Sequence, residues 1–77
     1  MSKSIYNEEY RRLISALKAA RVEAGITQQH VADAIGKPQS FIAKVEGRER
    51  RLDVIEFVQI CRVIGCEPME LLSPMLK

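Results

Sequence analysis

Residues 27–46 read TQQHVADAIGKPQSFIAKVE, and their reading decides the fold. Thr27 is an N-cap type, and Gln28 to Ile35 follow with Val31, Ala32 and Ile35 on one helical face. Gly36 then supplies a stop. Lys37-Pro38 makes the turn: proline fixes its own φ, pushes Lys37 away from helix, and so starts a new helix at Pro38 or Gln39. That helix runs to about Glu46 and buries Ile42 and Val45 before Gly47 breaks it. Two short helices around a tight glycine-containing turn have the shape of a helix-turn-helix.

Working outward, the same signals repeat. Asn7 caps a first helix with Glu8 and Glu9 in its first turn, and Tyr10, Leu13, Leu17, Ala20 and Ala24 recur at spacings of three and four. Gly25 ends it as a C′ residue. Asp53, with Glu56 three residues on, makes a capping-box variant for a fourth helix; Ile55, Val58, Cys61 or Arg62, and Ile64 or Gly65 mark its faces. Glu67-Pro68 opens a short fifth helix through Leu72, stopped by Ser73-Pro74. The expectation is an all-α fold, a compact bundle of about five helices, in a single domain over residues 1–77.

At 77 residues the chain has room for one domain and little room for a core plus an enclosed active site. Its 47% hydrophobic and 29% charged residues are the balance of a folded soluble protein. The apolar runs are too short for a membrane span, and MSKSIYNEEYRR has no apolar core of a secretory signal, so a cytoplasmic location is expected. No phosphate-binding glycine loop and no nucleophile–histidine set is present, which argues against an enzyme and against a nucleotide cofactor.

Cys61 and Cys66 make no disulfide framework. Five residues apart on one helix they would point in different directions, so they read as reduced packing thiols. The only histidine, His30, reads as a solvated residue, and no metal site is expected. The charge is uneven. Between residues 37 and 51, Lys37, Lys44, Arg48, Arg50 and Arg51 face only Glu46 and Glu49. This basic segment, with a pI near 8.7, permits nucleic-acid binding without demanding it.

Gly25, Thr27-Gln28, Val31-Ala32, Gly36, Gln39-Ser40, Ile42, Val45-Glu46 and the helix over 52–65 together resemble the lambda repressor/Cro-type helix-turn-helix family. The resemblance covers about residues 13–72. It implies that the third helix enters the DNA major groove while the second lies across the phosphate backbone. Gln39 and Ser40 then sit where base edges are reached, and a glutamine amide pairs bidentately with adenine. Lys44, one turn on from Ser40, faces guanine, a phosphate or solvent. Phe41 packs on a thymine methyl or against the fourth helix. The resemblance makes Gln28 a phosphate contact, beside the free N–H groups of a helix start. Arg48, Arg50 and Arg51 neutralise phosphates, or are solvated and paired with Glu49 or Asp53. Many family members carry glycine at the position of Arg48, so the loop departs from the pattern here. Arg21 and Glu46 match an architectural ion pair that sets the angle of the third helix.

The function expected is a sequence-specific regulator, a repressor or controller binding a pseudo-palindromic operator on double-stranded DNA as a homodimer. Its apolar surface would come from the fourth and fifth helices and from Met69, Leu71, Leu72, Met75 and Leu76. The alternative is an antitoxin-type or other protein-interaction module on the same fold, with a protein partner.

Overall fold

The computed structural model describes residues 7–76. Residues 1–6 and 77, which the expected domain and the reading of the N-terminus include, lie outside it. The described residues form α1 (Glu8–Glu23), α2 (Gln28–Ile35), α3 (Gln39–Glu46), α4 (Val54–Ile64) and α5 (Pro68–Leu72). A 3-10 turn, Ser73–Leu76, continues directly from α5, so Ser73-Pro74 changes the helix type rather than ending the coil. No strand occurs among the described residues, and the architecture is the all-α bundle expected. None of these helices is long and apolar enough to cross a membrane.

The helix starts are set by local chemistry. Asn7 Oδ1 accepts the Tyr10 N–H at 3.0 Å, and Thr27 Oγ1 accepts that of His30 at 3.0 Å. At α4 both halves of the capping box form. Asp53 accepts the Glu56 N–H at 2.7 Å, and the Glu56 carboxylate accepts the Asp53 N–H at 3.1 Å. Pro38 precedes α3 at φ −71 with no side-chain cap. Gly36 takes the left-handed conformation, φ 73, that lets α2 turn sharply into α3.

A single apolar core joins α1 to α4. Ile14, Val31, Ile42, Val45 and Cys61 are its largest fully enclosed side chains, with Leu17, Phe57 and Ile60 beside them. Burying each such side chain is worth about 1.5–3 kcal/mol. α3 packs against both α2 and α1, so the outer face of α3 is held on a platform of two helices.

Three expectations need correction. On α4 the inward residues are Phe57, Ile60, Cys61 and Ile64. Ile55 is 66% exposed, because capping at Asp53 puts it in the first turn with its side chain away from the core. Ala24, the C-cap of α1, is exposed, whereas Ile14 in the middle of the helix, which the spacing of three and four passed over, is buried. The two cysteines do not share one helix. Gly65 ends α4 at φ 86, and the chain folds back so that the Cys66 N–H reaches the Cys61 carbonyl at 3.0 Å.

Candidate nucleic-acid interface

α3 exposes Gln39, Ser40 and Lys44 while Phe41, Ile42 and Val45 point inward. Ser40 and Lys44 share one face at the i,i+4 spacing, and Gln39 stands beside Ser40 in the first turn. An α-helix with a polar, partly cationic outer face is of a size to enter the major groove.

Behind that face runs a chain of hydrogen bonds. Gln39 Nε2 donates to Gln28 Oε1 at 2.5 Å, and Gln28 Nε2 donates to Glu46 Oε1 at 2.9 Å. Arg21 then closes on Glu46 through Nε at 2.6 Å and Nη2 at 3.0 Å, and its Nη1 donates to the Ile26 carbonyl at 2.7 Å. Burial works to raise the Glu46 carboxyl. Hydrogen bonds from Arg21 and Gln28, with the charges of Arg21 and Lys18, outweigh it and hold the group below the ordinary 4.5. The start of α3 is thus tied to α2, and its end is tied to both α2 and α1.

A primary amide carries two N–H donors and a carbonyl oxygen. Gln28 takes one donor of Gln39, which leaves the other donor and Oε1, the pair that adenine requires. Gln28 accepts from Gln39 and gives one Nε2 hydrogen to Glu46, which leaves its second Nε2 hydrogen for a further acceptor.

The basic loop is not uniform. Arg50 lies over the Phe41 ring at 4.6 Å and reaches Glu56 Oε2 at 3.3 Å and the Arg51 carbonyl at 2.6 Å. Its guanidinium therefore braces α3 against α4, with its charge partly offset by Glu56. Arg51 lies over the Tyr10 ring at 4.1 Å, on the α1 side. Arg48 is exposed and makes no side-chain hydrogen bond or ion pair with the described residues. It also holds φ 62, alone among the described non-glycine residues in the left-handed region. Gly47, beside it, has φ −82, so the left-handed step falls on the arginine. Lys37 stands on the other approach to Phe41, at 5.2 Å. Phe41 itself is 7% exposed, which places it in the core rather than on the outer face.

Sequence spacing put Lys44 on the face of Ser40, while the family resemblance singled out Gln39 and Ser40 and paired Arg21 with Glu46. It missed the bracing role of Arg50 and the two cations on Phe41. Contacts between residues distant along the chain leave no periodic trace. The glutamate of the capping box, Glu56, was the one available sign that a buried acid awaited a cation.

A helix-turn-helix family model, HTH_3, matches residues 17–71. No curated protein matches the chain. Among solved structures, the chain is similar to an "XRE-family like protein from Pseudomonas syringae pv. tomato str. DC3000". The two share 51% identity and a TM-score of 0.86 over 95% of this chain and 89% of that one. With the two short helices, the glycine turn and the outward face of α3 in place, the chain belongs to the XRE/lambda repressor-like helix-turn-helix family, whose fold is that of DNA-binding regulators.

Proposed function

We propose that the protein is a cytoplasmic transcriptional regulator that reads an operator with α3 and binds as a homodimer. The observation that carries this reading is the exposure of Gln39, Ser40 and Lys44 on the outer side of a helix whose two ends are fixed by hydrogen bonds to α2 and α1. A reading helix held rigidly loses little freedom on binding. Gln39 and Ser40 contact base edges, and Lys44 contacts a base or a phosphate.

Arg48 is the principal phosphate contact of the loop. An arginine in a conformation that favours glycine costs about 1–2 kcal/mol, and its exposed side chain makes no ion pair with the described residues, which suits a role for its charge. Arg50 and Arg51 add to the positive field from their positions on Phe41 and Tyr10. Gln28 meets a phosphate at the start of α2 while orienting Gln39.

One module contacts few base pairs, and two-fold pairing supplies the missing affinity. Apolar surface for it is at hand. Val54 is 74% exposed, Met69 57% and Leu76 66%, whereas Leu71 and Leu72 of the same C-terminal stretch pack against the core. Repression follows if such a dimer covers a promoter.

The test is selection of bound sequences from random duplex DNA. The reading expects one motif with two inverted half-sites whose centres are about one helical turn, roughly 34 Å, apart. Recovery of no motif, together with copurification of a second protein, would favour the antitoxin-type alternative.

A further inference from the structure

The cap that ends α4 brings together the only two cysteines of the chain. Gly65, in the left-handed conformation, sends its own N–H and that of Cys66 back to the Cys61 carbonyl, at 2.8 and 3.0 Å. A cap closed in this way places the residues at its two ends side by side. Standard bond lengths around the 3.0 Å contact limit the two Cα atoms to a separation of about 7 Å, and disulfides span roughly 4.4–6.8 Å. The two thiols are therefore neighbours at this corner of the fold.

We propose that Cys61 and Cys66 are a thiol–disulfide modification site, in which a low-molecular-weight disulfide such as oxidised glutathione closes a reversible bridge across the C-cap of α4.

The two thiols have different parts in the reaction. Cys61 is fully buried, whereas Cys66 is only partly buried. Burial and the neighbouring Cys66 push the Cys61 thiol up to about 12, so it is protonated and sheltered. Cys66 reacts first. Its thiolate attacks one sulfur of oxidised glutathione, the glutathione S–S bond breaks, and one glutathione leaves as its thiolate and takes up a proton. Cys61, on losing its own proton, then attacks the Cys66 sulfur of the mixed disulfide. The second glutathione leaves and is protonated in turn. The cysteine pair has been oxidised by two electrons, and one oxidised glutathione has become two reduced ones. Excess thiol reverses both steps. The bridge lies on the corner between α4 and α5, whereas the reading residues lie on α3.

The experiment treats the full chain with oxidised glutathione, quenches it in acid, and follows intact mass and tryptic peptides of the denatured product. Trypsin cuts after Arg62, between the two cysteines, so peptides 52–62 and 63–77 stay joined only if the bridge has formed. The wild-type chain should end as a monomer lighter by two hydrogens, with those peptides linked and released by dithiothreitol. Cys66→Ala should resist modification. Cys61→Ala should hold one glutathione that is not displaced. A wild-type chain that keeps glutathione on Cys66, remains unmodified, or links two chains would overturn the proposal. The wild-type result decides the matter even if Cys61→Ala fails to fold.

Discussion

Arg21 and Glu46 meet in a two-pronged ion pair, Nε to Oε2 at 2.6 Å and Nη2 to Oε1 at 3.0 Å, with side chains only 12% and 8% exposed. Twenty-five residues apart in sequence, they join the end of α1 to the end of α3. Bidentate geometry fixes angle as well as distance, so the pair governs how α3 sits on the bundle.

Removing one partner leaves the other buried and unpaired. Glu46→Ala should cost about 3 kcal/mol of stability, and Glu49→Ala, on the exposed loop, under about 0.5 kcal/mol. Urea unfolding of both variants measures the difference. Equal, small losses would show that the pair contributes nothing.

The same pair sets an acid limit. Glu46 titrates lower in the folded state than in the unfolded chain. Its contribution is therefore complete above the ordinary 4.5 and is lost as pH falls through the lower folded value. Melting temperature against pH should fall more steeply below about pH 4.5 for the wild type than for Glu46→Gln, which has no proton to take up. Parallel curves would contradict this.

Phe41 is a core residue braced by Arg50 and Lys37. Phe41→Ala should cost about 3–5 kcal/mol, as loss of a buried aromatic does. Arg50→Ala should cost less, about 1 kcal/mol, through lost packing on the ring and a stranded Glu56. A Phe41→Ala protein of full stability with altered base preference would move the ring to the DNA face.

Arg48 combines a backbone cost with a charge. Arg48→Gly should stabilise the fold by up to about 1 kcal/mol, since glycine relieves the strain at φ 62 but adds chain entropy to the unfolded state. The same variant should bind DNA less tightly. A loss of stability would mean that the arginine side chain holds the loop.

The helices were legible because their signals are local. Asn7, Thr27 and Asp53 cap their own third residues, and glycines at 36 and 65 turn the chain where the apolar spacing ends. The phase of α4 was less so. Val54, Ile55 and Phe57 are all apolar, and only the capping geometry decides that Phe57 goes in and Ile55 stays out. Lys44 followed from its spacing to Ser40, whereas the choice of Gln39 and Ser40 and the groove they would enter came from the family resemblance. The link from Gln39 through Gln28 to Glu46 did not follow, because it depends on how α2 and α3 cross. The closeness of Cys61 and Cys66 did not follow, because single-helix spacing was applied to the pair although Gly65 ends α4 between them.

The central claim is that α3 reads bases while the loop after it holds phosphates. Titrations at several salt concentrations, on the selected site, a single-base variant of it and random duplex, test it with Gln39→Ala and Arg48→Gly. Gln39→Ala should lose about 1–3 kcal/mol of discrimination at one base pair per half-site and leave binding to random duplex nearly unchanged. Arg48→Gly should weaken binding to all three alike and flatten the slope of log K against log salt by about one unit per lost contact, roughly two in a symmetric dimer. Uniform loss with a changed salt slope for Gln39→Ala, and altered base preference for Arg48→Gly, would contradict the assignment of the two surfaces.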